Sequence, residues 1–274
     1  MIKAVREAKT HTSWTDNNQQ YEEALLAFIR GLLSCDDAGG APFLSDVQSL
    51  VARIARPGFW NSLSRTMIQF TSPGTPDLYQ GDELWNFALV DPDNRRPVDY
   101  QARRQLLDEA ILAVEGSPEA RREYLHSLVG SPEDGRIKLH VIQSLLTARR
   151  QHPQLFGSGE YIPLATAGPA SGHLIAFARL SEAARGASSG RSAEPHEAIV
   201  VAPRLTVELV EDSSAAPIGE AAWSDTRVYL PEFLTSKSLR CAVTHESIEP
   251  SVDGSLRVAD VLRSFPVSLL ISEA

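Results

Sequence analysis

Pro73-Gly74-Thr75-Pro76-Asp77-Leu78-Tyr79-Gln80-Gly81-Asp82-Glu83-Leu84-Trp85 is the stretch on which the fold of this chain turns. Residues 72–77 are dense in turn formers, so the backbone enters through a tight bend. Residues 77–81 then read as a short strand ending in glycine, and the turn beyond delivers Gln80, Asp82, Glu83 and Trp85. In a parallel barrel, side chains at the carboxyl end of a strand line the mouth of the site. Carboxylates beside an aromatic suit sugars, because acids accept hydroxyl hydrogen bonds and a ring packs on the apolar C–H face. The plainer alternative is that Glu83 only ties down its own loop by accepting backbone N–H bonds, and pattern alone leaves both open. A lone strand is not stable without partners. The segment is therefore either a minor strand in a helical domain or one strand of an interrupted one.

Upstream, residues 1–9 read as the end of an amphipathic helix and residues 11–18 as a polar loop, with Asp16 or Asn17 placed to cap the next helix. Ala24, Leu25, Phe28, Ile29, Leu32 and Leu33 recur at helical spacing. A break is expected at residues 38–42, then helix through Phe43, Val47, Leu50, Val51 and Ile54 that stops near Pro57-Gly58. Residues 60–70 are expected to continue as helix into a short buried strand. Downstream, residues 91–100 have two prolines and no periodicity and read as loop; 100–128 and 136–150 read as helices, the second stopped by Pro153 with His152 as its cap.

The character changes after Phe156. Short β-rich runs at 161–164, 173–180, 198–203, 227–230, 239–242, 256–258 and 267–271 are separated by turn formers, the pattern of an antiparallel sandwich. Residues 181–195, rich in Ala, Gly and Ser, read as a hairpin tip. The expected fold class is α+β, with a boundary near residue 155: a mainly helical 1–155 and an all-β 156–274.

With 26 Lys and Arg against 35 Asp and Glu, the 274-residue chain carries a net charge of −9, which argues against nucleic-acid or anionic-membrane partners. Cys35 and Cys241 do not make a disulfide framework, and no stretch approaches a membrane span, so a soluble cytoplasmic protein is expected. Asp91-Pro92-Asp93-Asn94-Arg95-Arg96-Pro97-Val98-Asp99-Tyr100 packs three carboxylates and two guanidiniums into ten residues. These can bridge one another through bidentate pairs or clamp hydroxyl groups. Asp91 and Asp93 resemble the start of a calcium loop, but the glycine and terminal glutamate are missing at the required spacing, so no metal is expected. Lys9, His11 and Trp14 form a third group, and no nucleophile triad or cofactor motif stands out.

These segments resemble one family. Lys3-Ala4-Val5-Arg6-Glu7-Ala8-Lys9-Thr10-His11-Thr12-Ser13-Trp14, residues 73–85, the run from Leu89 to Tyr100, Asp134-Gly135-Arg136-Ile137-Lys138 and His152-Pro153-Gln154-Leu155-Phe156 are similar to motifs of the maltooligosyltrehalose synthases, α-amylase-superfamily enzymes of glycoside hydrolase family 13. The resemblance covers roughly residues 1–180 and thins in the β-rich tail. It implies a (β/α)8 barrel followed by a β-sandwich, with 77–81 as the eighth strand, 136–150 as the final barrel helix, 1–155 as the carboxy-terminal part of the barrel and 156–274 as the sandwich.

The activity implied is isomerisation of the reducing-end α-1,4 bond of a maltooligosaccharide to α,α-1,1. It proceeds through an aspartate nucleophile and a glutamate acid/base, with water excluded. The catalytic motifs, including an HDTKR-like segment expected before residue 1, are not found here. No catalytic role is therefore transferred, no cofactor is implied, and the chain alone is expected to be inactive. What carries over is a set of substrate-binding or loop-supporting positions: Lys9, His11, Tyr79, Gln80, Glu83, Asp91, Asp93, Asn94, Arg95 and Arg96. The implied partners are a maltooligosaccharide or α-glucan substrate and an amino-terminal barrel half. Asp82 departs from the family's usual threonine. The alternatives are a piece of an α-glucan hydrolase or glucosyltransferase, and a non-catalytic glucan-binding module using Trp85 and the β-rich tail.

Overall fold

The computed structural model describes residues 1–34, 40–88, 96–181, 197–210, 212, 214–234 and 238–273. It comprises two compact units, Met1–Ile54 with Phe87–Pro97, and Ala55–Asn86 with Val98–Ala274.

The first unit contains α1 (Ile2–Ala8), α2 (Gln19–Leu32) and the opening turns of α3 (Gly40–Thr71). Asn18, rather than Asp16 or Asn17, caps α2, its side chain accepting from the Tyr21 N–H at 3.1 Å. Asp16 instead closes a turn, its N–H donating to Ser13 Oγ at 2.8 Å. Although α2 has the expected apolar periodicity, no hydrophobic residue of this unit is buried among those described; its buried side chains are Thr12 and Glu22.

In the second unit α3 continues to Thr71, which corrects two expectations: it does not stop at Pro57-Gly58, and residues 60–70 contain no strand. A proline inside a helix removes one i→i−4 bond and costs about 3 kcal/mol. Here the turns beyond it bury Trp60, Leu63, Met67 and Phe70 completely or nearly so. Each large apolar side chain contributes about 1.5–3 kcal/mol when buried, so continuing the helix is favoured. Thr206 Oγ1 donates to the Pro57 carbonyl at 2.9 Å.

The expected single helix over 100–128 is two, α4 (Tyr100–Glu115) and α5 (Pro118–Gly130). Gly116 adopts an extended conformation, Ser117 Oγ accepts from the Ala120 N–H at 3.2 Å, and Pro118 opens the new helix. α6 (Arg136–Gln151) comes next, with His152 at its C-cap, and then α7 (Pro153–Gly157).

Strands begin at β1 (Glu160–Pro163), followed by β2 (Ala165–Ala167), β3 (Leu174–Leu180) and β4 (Glu197–Pro203). After the short α8 (Gly219–Trp223) come β5 (Arg227–Tyr229), β6 (Leu239–Cys241), β7 (Ser247–Ile248), β8 (Ser255–Arg257), α9 (Val258–Val261) and β9 (Ser268–Ser272). One antiparallel sheet has the order β1-β3-β4-β9-β6-β7 and a second the order β2-β5-β8. In the central register Val200 lies opposite Phe177 on one side and Leu269 on the other. β4 and β9 are buried along their whole lengths, so they read as continuous rather than alternating apolar runs. One apolar cluster takes in Trp60 and Phe70 of α3, Val141 and Leu145 of α6, and the sheet residues Val200 and Leu269. The fold is mixed helix and antiparallel sheet.

The expected strand at 77–81 is absent: these residues are irregular backbone leading into a turn. A strand needs neighbours to answer its N–H and C=O groups. The described residues of 1–159 supply no other strand, so side chains do that work instead. The expected hairpin tip at 181–195 lies, apart from Ser181, outside the described residues.

Candidate functional site

The segment that leaves α3 is held by side chains from three helices. Arg149 of α6 donates to the carbonyls of Phe70 and Gly74, each at 2.9 Å. Gln69 of α3 donates to the carbonyl of Asp77. Gly81, at φ 90°, turns the chain against Val98; a Cβ there would lie 3.2 Å from the Val98 methyl carbon. Arg103 of α4 then gathers the turn. It donates to the Gly81 carbonyl at 2.9 Å, to Glu83 Oε2 at 3.0 Å and to the Asp99 carbonyl at 3.1 Å. Asp99 also caps α4, accepting from the Ala102 N–H at 2.9 Å.

Glu83 is thus a loop-holding carboxylate, engaged by a side-chain guanidinium rather than by the backbone N–H groups the sequence suggested. Tyr79, 44% exposed, and Gln80, also exposed, are left on the outer side of the same turn. Trp85 is not a free platform. Its indole N–H donates to the Pro132 carbonyl at 2.6 Å, its ring stacks on Phe59 at 4.8 Å, and Lys138 Nζ sits 5.6 Å from its centroid. Gly135, at φ 81°, lets α6 start against it: a Cβ there would lie 3.2 Å from the Trp85 nitrogen.

Lys138 is the member of this group that sequence reasoning missed. It is buried on α6 and donates from Nζ to the Leu84 carbonyl at 3.2 Å. Burial pushes its pKa down, while the charges of Asp82 and Glu83 act in the opposite sense. Asp82 accepts from the Asn86 amide at 2.8 Å rather than simply facing solvent. The available signal was a lysine directly after Ile137 on a helix whose apolar face carries Val141, Leu145 and Ala148.

In the first unit, Lys9 ends α1 at φ 56°, an uncommon conformation for a residue with a Cβ. His11 is exposed, its ring 5.1 Å from that of Tyr21. Behind them Arg6 makes a bidentate pair with Glu22 at 2.7 and 2.6 Å, and Thr12 Oγ1 donates to the same carboxylate at 2.7 Å. The Arg6 hydrogen bond is the main reason the Glu22 carboxyl lies below the usual range. Trp14 donates to Glu7 at 3.1 Å under the Arg6 guanidinium. This Arg6–Glu22 tie between α1 and α2, sixteen residues apart, carried no sequence signal beyond its place in a motif.

Of the expected site residues, then, Lys9, His11 and the exposed Arg96 belong to the first unit, and Tyr79, Gln80 and Glu83 to the second. Asp91, Asp93, Asn94 and Arg95 lie outside the described residues, as does Cys35. Cys241 is a buried free thiol. A separate cleft of about 640 Å³, lined by Glu115, Gln143, Thr147, Arg240, His245 and Glu273 among others, contains none of the expected site residues. Among the described residues no helix is long and apolar enough to cross a membrane.

No family model matches the chain. A curated protein of Mycobacterium tuberculosis that carries the name maltooligosyl trehalose synthase is 32% identical over 226 residues, 81% of this chain and 24% of that protein. The solved maltooligosyltrehalose synthase of Arthrobacter ramosus is 31% identical, with a TM-score of 0.68 over 99% of this chain and 29% of its own. In sequence and fold the chain is similar to the carboxy-terminal part of the maltooligosyltrehalose synthases. The hypothetical maltooligosyl trehalose synthase of Sulfolobus tokodaii, at 23% identity and a TM-score of 0.57, shares the fold. The chain spans about a quarter of the length of the curated relatives it matches. Arg103 and Lys138 fix the turn at 79–86, Arg149 holds the segment before it at Phe70 and Gly74, and Tyr79 and Gln80 are presented on the turn.

Proposed function

We propose that this chain forms the carboxy-terminal end of the barrel and the terminal β-sandwich of a trehalose-forming maltooligosyltrehalose synthase. What carries the reading is the identity to the Arthrobacter ramosus synthase sustained along 99% of the chain. In this reading α6 takes the place of the last barrel helix and residues 156–274 that of the sandwich. The whole enzyme, in the cytoplasm, converts the reducing-end α-1,4 bond of a maltooligosaccharide to α,α-1,1. It forms a glycosyl intermediate on an aspartate and holds the freed glucose until its anomeric hydroxyl attacks, with water kept out.

Lys9, His11, Tyr79, Gln80, Glu83, Asp91, Asp93, Asn94, Arg95 and Arg96 are proposed to bind glucosyl units or to support the loops that do. Tyr79 and Gln80, exposed on an anchored turn, suit direct contact; Glu83, engaged by Arg103, suits support. None of these is assigned the nucleophile or the acid/base. The chain on its own is therefore expected to leave maltopentaose unchanged, and a non-reducing product from the isolated chain would refute this assignment. A free-standing glucan-binding module built on Trp85 has no observation in its favour, because that ring is stacked on Phe59 and hydrogen-bonded to Pro132.

A further inference from the structure

The cleft of about 640 Å³ lies wholly in the second unit, between the end of α4, the last turns of α6 and the strands β6 and β9. Its volume falls in the range of pockets that hold small molecules, roughly 300–1,000 Å³. Arg240 of β6 lines it, is exposed, and makes no ion pair among the described residues. His245, in the turn after β6, lines it as well, with its backbone at φ 62°. That conformation is costly for a residue with a Cβ and persists only where the surroundings hold it. Here the His245 N–H donates to the Cys241 carbonyl at 2.8 Å. Arg121 of α5 reaches the carbonyl of Val114, another lining residue, at 2.9 and 2.6 Å, and it too is ion-paired to no described residue. Burial, then the charges of Arg121 and Arg240, lower the His245 pKa, so both guanidiniums lie close enough to act on the ring. Two nearby acids are engaged elsewhere. Glu246 pairs with Arg263 at 3.0 Å, and Glu273 accepts from the hydroxyls of Ser238 and Ser247. Glu115 is exposed at the end of α4.

We propose that this cleft binds a small phosphorylated sugar, with Arg240 and His245, backed by Arg121, taking the phosphate, and Gln143, Thr147 and Glu115 taking sugar hydroxyls. Guanidinium N–H groups match phosphate oxygens in geometry and charge, and two of them without a carboxylate partner leave that charge unanswered. A hydroxyl both donates and accepts. The Gln143 amide, the Thr147 hydroxyl and the Glu115 carboxylate together supply both senses, and Glu115 disfavours a ligand that is anionic throughout. Ile111 and Ile271 give the cleft an apolar wall for the C–H groups of a sugar ring. None of the residues assigned above to glucosyl binding lines the cleft, so the site goes beyond the proposed function and needs no turnover.

The test is calorimetric titration of the full chain with glucose 6-phosphate, glucose and inorganic phosphate, for wild type, Arg240→Ala and Thr147→Trp. Glucose 6-phosphate is expected to bind about tenfold or more tightly than either glucose or inorganic phosphate, because only it uses both ends of the cleft. Arg240→Ala, at an exposed position, should weaken it by about tenfold or more, the worth of one charge-assisted hydrogen bond. Thr147→Trp, which fills the cleft, should abolish binding. Followed by NMR, the His245 ring should titrate at a higher pH in the complex, since an adjacent anion favours its charged form. No binding of glucose 6-phosphate to wild type, or equal binding to wild type and Arg240→Ala, overturns the proposal. So does an unmoved His245 titration at saturation, because the anion then sits elsewhere. Glucose bound as tightly as its phosphate overturns the ligand class in favour of a neutral sugar. Binding is read on the chain alone, so its failure leaves the isomerase reading untouched.

Discussion

Arg179 shows at the scale of one residue how the second unit is joined. It lies on β3 in a strand that otherwise reads Leu-Ile-Ala-Phe-Ala-Leu, and it is fully buried. Its guanidinium donates to the carbonyls of Thr71 at 2.8 Å, Gly159 at 2.6 Å, and Phe156 and Glu160 at 3.3 Å, tying the end of α3 and the exit from α7 to the sheet. Burial lowers its pKa, first among the causes. Arg179→Met leaves four carbonyls without that donor and is expected to cost about 3 kcal/mol or more, readable as a drop in the urea midpoint. The sequence held a signal here, a charged residue inside an apolar strand, but nothing local named the four carbonyls it serves. Glu83 was legible as important, but not its partner, because Arg103 twenty residues on looks like any exposed helical arginine.

His140 gives the acid limb of stability a specific origin. It is fully buried on α6, Nε2 lies 3.0 Å from the Val243 carbonyl, and burial pushes its pKa from 6.5 down to about 4. A carbonyl only accepts, so the neutral ring carries its proton on Nε2. Between these values the unfolded chain binds the proton and the folded one does not. The stabilisation is therefore complete above pH 6.5 and is lost as pH falls toward 4, by about 3 kcal/mol in total. His140→Leu is expected to flatten this part of the curve, measured as the difference in melting temperature between wild type and variant from pH 7 to pH 4.5. A parallel offset across the range would rule the histidine out as the source.

Among the elements, α3 divides into a stretch that stabilises the free chain and one that does not. Trp60→Ala removes a ring with no exposed surface whose indole N–H donates to the Ala215 carbonyl, and should cost about 3–5 kcal/mol. Leu50→Ala, ten residues earlier on the same helix, should change the stability of the free chain by about 0.5 kcal/mol or less. Equilibrium unfolding checks both, and similar losses would mean that Leu50 is buried in solution. The same helix measures what sequence reading reached. Its apolar period was plain, but local rules stopped it at Pro57, because the burial that carries it through depends on partners far along the chain.

The β-rich runs at 173–180, 198–203 and 267–271 fell within a residue or two of the observed strands, since buried central strands are continuous apolar runs. Ala165–Ala167 and Ser247–Ile248 were missed because such short edge strands carry little apolar pattern. The Gly116-Ser117-Pro118 break was readable from its cap chemistry. The strand expected at 77–81 came from the family resemblance and from turn punctuation, and the described residues contain no neighbour for it to pair with.

At the scale of the whole molecule, a second unit with one extensive core accompanies a first unit with no buried hydrophobic side chain among its described residues, in a chain that matches 29% of the Arthrobacter ramosus synthase. The central proposal is that this polypeptide is part of an isomerase of maltooligosaccharides to which it supplies binding surface rather than bond-breaking groups. The most direct measurement is the product made from maltopentaose by the complex of this chain with the amino-terminal part of the Mycobacterium tuberculosis relative. Reducing ends are expected to disappear with almost no free glucose, giving a product closed by an α,α-1,1 bond. Release of reducing glucose or maltose, or lengthened reducing glucans, would contradict the claim and place the chain with a hydrolase or a glucosyltransferase.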